Sequence, residues 1–503
     1  MATLSKSKII AFRQCPKRLW LEVHRPELRE VSAATEARFQ VGNQVGDIAR
    51  KLYDPKGDGV FIDIQKGYKQ AFEESEKFFK EGKRPIFEAG FRFSGTMALA
   101  DVMIPIVKRG KCSWKMVEVK SSASVKDYHR EDVAVQSFLA RNMGLDLDSV
   151  SVAYIDTSWT YPGGEDYRGL LTEGDLTEET MELAGEVSSW LSEAHKTADM
   201  KSEPKIETGD QCASPFDCPF LAYCNRGKIE PQFPVDWLPR LSQKQRARLT
   251  EEGIDDLRHV PDEMLNPKQK LVRDFTVKNT VFFDKKEARR ALDGCGLPAY
   301  FLDFETANLT VPIWAGTRPY QQIPFQFSLH KVLEDFKIEH SGFLDLSGKD
   351  PSRSFAEALI ESCEESGPVF VYNAKFEKMI IRQLAERFED LGSPLNEIAE
   401  RIVDLLPVAE NCFYAPSQCG SWSIKSVLPA AVPELSYEDL EGVKDGSMAM
   451  EAFAEAIAAG TSPERRDEIR GQLVEYCKLD TLAMVGLWKR FLGMKKPDIL
   501  SGV

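Results

Sequence analysis

The sequence predicts an α/β multidomain protein, and three observations carry that prediction. The chain has 503 residues, which at about 100–200 residues per domain calls for roughly two to four cores. Apolar runs with strand character alternate with stretches of helical periodicity on both sides of a central change in composition. The apolar fraction of 43% and the charged fraction of 29% belong to a folded globular chain and exclude wholesale disorder.

The elements follow in order. Within residues 1–230, the stretch 32–53 reads as a helix and VFID (60–63) as a short apolar run. IFEAGFRFSGTMALADVMIP and KCSWKMVEVKSS read as strands, and DYHREDVAVQSFLARNM as a helix with Val133, Phe138 and Leu139 on its apolar side. SVSVAYID closes this part as a strand. Residues 231–295 read as a helical linker, basic against the rest of the chain, with 13 basic and 9 acidic residues over 238–292. There LSQKQRARLTEEGIDDLRHVPDEML is similar to a helix-hairpin-helix element turning at Gly253-Ile254. Such a turn offers backbone N–H groups to a phosphate; a solvated helical linker is the alternative. The turn-rich DGCGLP marks the next boundary. From residue 296, AYFLDFET, PFQFSLHKV and KIEHSGFLDL read as three successive strands. Helices and strands then alternate through SFAEALIESCEES, PVFVYN, KFEKMIIRQLAERFED and RIVDLLPV to a final helix over 463–491. The pattern predicts a mixed sheet flanked by helices.

Charge and termini narrow the function classes. With 65 basic and 79 acidic residues the net charge is −14, which argues against a protein that coats nucleic acid non-specifically. Nucleic acid remains open as the substrate of a metal site, where ions need carboxylates. No stretch reaches the ~18 uninterrupted apolar residues of a membrane helix. Lys6, Lys8 and Arg13 stand where a signal peptide would need its apolar core. A cytoplasmic location and no membrane partner are expected.

The first constellation is Asp101, Glu118 and Lys120. Glu118 and Lys120 lie at i and i+2 on one strand and share a face. An Asp from the neighbouring strand completes a site for a hard divalent cation, beside which the lysine stabilises charge or orients water. Gln136 follows on the next helix. The order Asp, hairpin, EVK, helix, Gln resembles the PD-(D/E)xK nuclease fold in its RecB-like branch. By that resemblance residues 1–230 form a restriction-endonuclease-like α/β core with Asp101 and Glu118 as metal ligands. Members of that branch carry a metal-binding His on an earlier helix in a G-x-x-x-H context. Here VGNQVGDIAR has Gly46 at that place, which leaves a three-ligand site or a binding-only domain.

The second constellation is four cysteines, Cys15 before this core and Cys212, Cys218 and Cys224 after it, the last three spaced C-x5-C-x5-C. Soft thiolates select iron–sulfur or zinc. The placement resembles the 4Fe–4S staple of RecB-like nucleases, with zinc or a redundant relic as the alternatives because the spacing is wider than the C-x2-C start common there.

The third constellation lies in residues 296–503. Asp303 and Glu305 share one face of an apolar strand, and burying two carboxylates together is costly unless cations neutralise them. Glu377 follows VYN on a helix. Tyr476 and Asp480 are spaced i, i+4 on the last helix. Asp303-x-Glu305, Asn373-Ala-Lys-Phe376-Glu377 and Tyr476-x3-Asp480 resemble the DEDD exonucleases of the ribonuclease H-like superfamily, tyrosine subtype, with Glu377 where Asp is usual. The resemblance implies Mg²⁺ or Mn²⁺ on Asp303, Glu305, Glu377 and Asp480, with Tyr476 orienting the attacking water. TRPYQQIPFQFSLH (317–330) fits the following strands, with Tyr320 and Gln322 near a substrate cleft.

As a whole the chain resembles a bacterial fusion family joining a RecB-like, cysteine-bearing domain to a ribonuclease H-like domain. That implies a metal-dependent nuclease on DNA, more than RNA, in DNA processing or defence against mobile elements. A catalytically degenerate nucleic-acid-binding or scaffolding subunit is the competing expectation.

Overall fold

A computed structural model describes residues 3–30, 33–364 and 366–494. It is a mixed α/β protein of two units. The first comprises residues 1–228 together with 309–320, the second residues 229–308 and 321–503. The stretch 231–295 therefore belongs to the second unit. The excursion 309–320 leaves the second unit between two of its strands.

The first unit is built on a seven-stranded sheet. Its strands are β1 (Leu4–Ser5), β2 (Val60–Phe61), β3 (Ile86–Phe93), β4 (Thr96–Lys108), β5 (Lys111–Lys120), β6 (Leu147–Ile155) and β7 (Leu171–Asp175). They run in the order β2-β3-β4-β5-β6-β7, with β1 paired to β4 in parallel. Gly95 and Gly110, both at positive φ, turn the β3-β4-β5 meander, a backbone conformation that costs glycine nothing. β6 pairs parallel to β5 after the crossover helix Asp127–Asn142, whose Val133, Leu139 and Ala140 enter the core with Met116, Val150 and Val152. Val311 of the excursion packs with Val45, Ile48, Ile155 and Leu170 of the same unit.

In the second unit the two-residue β8 (Phe282–Phe283) precedes the main sheet. That sheet holds β9 (Ala299–Ala307), β10 (Ile323–Val332), β11 (Ile338–Leu344), β12 (Val369–Val371) and β13 (Ile402–Asp404), in the order β11-β10-β9-β12-β13. The three leading strands form the antiparallel part, and β12 and β13 add in parallel. β8 pairs with β14 (Phe413–Tyr414). The central strand β9 is buried on both faces, as its run of Tyr300, Phe301, Leu302 and Phe304 requires. Helices Ser352–Cys363 and Ala374–Arg387 pack on one side through Phe355, Leu359, Ile380 and Ile381. The last helix, Pro463–Phe491, packs through Met484, Leu487 and Trp488. Ser462 caps it, accepting from Arg465 N, with Pro463 in the first turn where its missing N–H costs no bond.

The basic stretch forms neither a two-helix hairpin nor a solvated linker. Helix Gln243–Glu251 reaches the expected turn at Gly253, φ 66°, but a single helical turn, Leu257–His259, follows it. Pro261 sits two residues on and restricts Val260, which stops that turn from growing. Leu238, Leu249, Leu257, Val260 and Leu265 give the stretch a small core of its own.

Candidate active site

The second unit gathers its carboxylates at the C-terminal ends of β9, β12 and β13, the place where open α/β sheets bind ligands. β12 pairs with β9 only at Tyr300 and Phe301, so the edge of β9 opens beyond that point, where Asp303 and Glu305 lie. Glu377 comes from the first turn of the helix that leaves β12. Asp404, at the end of β13, fixes that helix: its two oxygens accept from Asn373 N and Ala374 N, both at 3.0 Å. Asn373 turns the chain there with φ 89°, a conformation asparagine tolerates better than most residues.

A cleft of about 380 Å³ is lined by Asp303, Glu305, Gln322, Lys425, Tyr476 and Asp480, among others. Glu305, Glu377 and Asp480 are buried. Burial, with Asp480, Glu305 and Glu377 around it, pushes the Asp303 carboxyl well above its ordinary range. Burial and Asp480 raise Glu305 to about 8. Burial, with Asp404 nearby, raises Glu377 to about 8. Burial raises Asp480 only to about 6, because Tyr437, Lys425 and Tyr476 oppose it. One oxygen of Glu377, Oε2, is buried without a hydrogen-bond partner. Several buried carboxylates raised together, with an unsatisfied oxygen among them, are the surroundings that a divalent cation relieves.

The structure thus brings Asp303, Glu305, Glu377, Tyr476 and Asp480 into one neighbourhood. Gln322 lines the same cleft, whereas Tyr320 lies in the first unit, its hydroxyl donating to Ser121 O at 2.8 Å. Four further side chains were not singled out from the sequence. Tyr437 donates to Asp480 Oδ1. Lys425 donates to Lys444 O at 2.6 Å and to Tyr476 Oη at 3.3 Å. Cys477 Sγ lies 4.0 Å from Asp303 Oδ2. Asp404 holds the Glu377 helix. Lys425 follows Ser423, an N-cap visible in the sequence as the start of a helix; Tyr437 carries no such local signal. Among the described residues, Asp303, Glu305 and Cys477 form the one group of three or more potential ligands whose donor atoms lie within 4.8 Å of one another.

In the first unit Asp101, Glu118, Lys120 and Gln136 also come together. Asp101 Oδ2 accepts from Val119 N at 2.6 Å. Glu118 Oε1 accepts from Lys120 at 2.7 Å and Oε2 from Gln136 Nε2 at 2.6 Å. Two unforeseen residues complete the cluster: Lys6 donates to Glu118 Oε1 at 2.8 Å and to Asp132 Oδ2 at 3.1 Å, and Lys120 donates to Asp132 Oδ2 at 2.7 Å. Burial and Glu118 raise Asp101 to about 8. Burial would raise Glu118 too, but Lys120 and Lys6 outweigh it and hold the carboxyl far below its ordinary range. Gly46, on the helix Ala33–Tyr53, supplies no ligand atom.

The four cysteines are all free and half-buried. Gln14, next to Cys15, donates to Gln211 O at 2.7 Å and Phe216 O at 2.6 Å, and Cys218 N donates to Cys212 O at 2.7 Å. Burial raises the Cys224 thiol, to which Cys212 and Cys15 add, and Cys212 and Cys224 act likewise on Cys218. Cys15 thus joins the other three across about two hundred residues of chain. A tetrahedral zinc with Zn–S of ~2.3 Å would hold its sulfurs about 3.8 Å apart. The four thiols are more widely set, since no three of them form a group within 4.8 Å among the described residues.

A family described as "Domain of unknown function (DUF2779)" matches residues 300–423. The match takes in Asp303, Glu305 and Glu377 and ends before Tyr476 and Asp480. Comparison with curated proteins gives no match. No helix among the described residues is long and apolar enough to cross a membrane.

Proposed function

We propose that this protein is a metal-dependent nuclease that hydrolyses DNA or RNA from an end through the cleft of its second unit. One observation carries the reading: Asp303, Glu305 and Asp480 line one cleft with raised carboxyl pKa values, and buried Glu377, with an unpartnered oxygen, acts on Asp303 from behind it. The donor set is all hard oxygen apart from the neighbouring Cys477, and it suits Mg²⁺ or Mn²⁺. Asp303, Glu305 and Asp480 would hold the ion or ions, with Glu377 directly or through water. Bound there, the metal supplies Lewis-acid stabilisation of a phosphoryl oxygen and a nucleophilic water at neutral pH.

The chain's own side chains do the rest. Tyr476 presents its hydroxyl into the cleft and orients the attacking water. Lys425 holds that hydroxyl and brings the cleft a positive charge for a phosphate oxygen. Tyr437 donates to one oxygen of Asp480 and holds that carboxylate in place. The four half-buried thiols, Cys15, Cys212, Cys218 and Cys224, would hold a 4Fe–4S cluster, with zinc as the alternative; either would tie the N-terminal helix to residues 212–224. The reading is tested with single- and double-stranded DNA and RNA carrying 5′ or 3′ labels, with Mg²⁺, Mn²⁺ or chelator. Stepwise, chelator-sensitive shortening supports it, and no cleavage of any substrate sinks it.

A further inference from the structure

The carboxylates of the first unit already have a cation. Lys6 is the first residue of the helix Lys6–Gln14, and β1 places it by pairing Leu4 with Thr96 and Ser5 with Met97 of β4. A lysine at that position faces the positive end of the helix dipole, which is unfavourable for an ammonium. The local rule is broken for a tertiary reason: Lys6 Nζ reaches Glu118 Oε1 at 2.8 Å and Asp132 Oδ2 at 3.1 Å.

The lysine of the EVK strand reaches the same two oxygens, each at 2.7 Å. Two ammonium groups therefore sit between two carboxylates, and the charges balance. The remaining Glu118 oxygen is taken by Gln136, which also donates to Leu99 O at 2.6 Å. Asp101 spends one oxygen on Val119 N. What still faces the adjoining pocket of about 280 Å³ is the other side of Asp101 together with Glu88, beside Lys6 itself. A divalent ion that demands close, near-octahedral oxygen coordination finds its central ligand, Glu118, fully engaged and a positive charge beside it.

We propose that Lys6 is the resident cation of the first unit: its ammonium, held between Glu118 and Asp132 and beside Asp101, engages the Glu118 oxygen that a divalent ion would need, so the PD-(D/E)xK-like site is a fixed charge lock that recruits no metal. Divalent binding is then left to the second unit. That last step rests on the function proposed above; the assignment of Lys6 does not.

The test uses the full chain with the second-unit carboxylates silenced by Asp303→Asn and Glu305→Gln. Free Mn²⁺ is measured by electron paramagnetic resonance, and melting is followed with and without Mn²⁺. This parent should bind no stoichiometric Mn²⁺, and its melting temperature should not respond. Adding Lys6→Met should create one Mn²⁺ site that Glu118→Gln removes, and Mn²⁺ should raise the melting temperature of the Lys6→Met protein by several degrees. Lys6→Arg, which keeps the charge, should behave as the parent. One Mn²⁺ bound by the parent and lost on Asp101→Asn or Glu118→Gln would overturn the assignment, and that measurement needs no Lys6 variant to fold. A folded Lys6→Met protein that binds none would overturn it equally. Failure of the unsilenced chain to bind Mn²⁺ would count against the proposed function and not against Lys6.

Discussion

The ammonium of Lys425 lies 3.3 Å from the hydroxyl of Tyr476 and 4.9 Å from the centre of its ring. The same ammonium stands 5.4 Å from the ring of Tyr437, whose hydroxyl donates to Asp480. Two tyrosines and a lysine thus frame the carboxylate at the end of the Y-x3-D motif, and the contacts separate chemistry from packing in ways that substitutions can read.

Tyr476→Phe keeps the buried ring and removes one hydroxyl. Stability should hold within about 1.5 kcal/mol, the worth of one hydrogen bond. Cleavage should fall by ~10²-fold or more, the scale of a positioned catalytic hydrogen bond. Turnover and thermal melting on this variant and on Tyr476→Ala, which opens a cavity costing roughly 3 kcal/mol or more, separate the two roles. A fully active Tyr476→Phe protein would make the tyrosine a packing residue.

Lys425→Met should act in opposite directions on binding and on rate. Lys425 lowers the carboxyls of Glu305 and Asp480, so it repels a cation held by them. Removing it should tighten Mn²⁺ several-fold at alkaline pH, on the order of 1 kcal/mol for one charge at partly screened distance, while cleavage drops because Tyr476 loses its donor. Calorimetric Mn²⁺ titration beside turnover checks the pair of signs. Weakened Mn²⁺ binding would contradict this role.

A buried histidine gives a stability signature in acid. His330 is 2% exposed, and its Nδ1 lies 2.8 Å from Thr481 Oγ1. Burial, with His340 and Lys478 facing it, lowers its pKa to about 3. Its pKa is lower folded than unfolded, so the unfolded chain binds the extra proton between about pH 6.5 and 3. The contribution is intact above pH 6.5 and shrinks as pH falls, by up to about 1.4 kcal/mol per pH unit. Denaturant midpoints for the native chain and His330→Gln at pH 7.5 and 5 should show a smaller acid loss in the variant. Parallel losses would remove His330 from the explanation.

Much of this architecture is legible because it is local. Asp303 and Glu305 share a strand face at i and i+2, Tyr476 and Asp480 share a helix face at i and i+4, and both spacings survive intact in the fold. The hairpin that carries Asp101 toward Glu118 turns at a single glycine, Gly110. What escaped is non-local. Lys6 meets Glu118 across 112 positions and Tyr437 meets Asp480 across 43, and no periodicity within either segment announces the partner. The second helix expected after Gly253 is missing because Pro261 follows too soon. The excursion 309–320 interrupts the second unit between β9 and β10 because Val311 finds its apolar neighbours in the first, a choice made by tertiary packing and not by local pattern.

The cysteines make a separate claim. Purified without oxygen, the protein should be brown and carry iron and sulfide, and Cys218→Ser should lose both. Iron and sulfide analysis with visible absorption reads this directly. A colourless protein with zinc would place the four thiols in the structural-zinc class, and a stable metal-free protein would remove the staple.

The central claim is that the second-unit carboxylates form a hydrolytic metal centre, and Asp303→Asn tests it most directly. Asp303 is the carboxyl that the other three, Asp480, Glu305 and Glu377, all push upward, and the change removes a charge while leaving shape and packing nearly untouched. The measurement is Mn²⁺-dependent shortening of end-labelled single-stranded DNA and RNA by the native and Asp303→Asn proteins at equal folded concentration. The account predicts chelator-sensitive cleavage by the native protein and its loss, by ~10²-fold or more, in the variant. Native-rate cleavage by Asp303→Asn would contradict it.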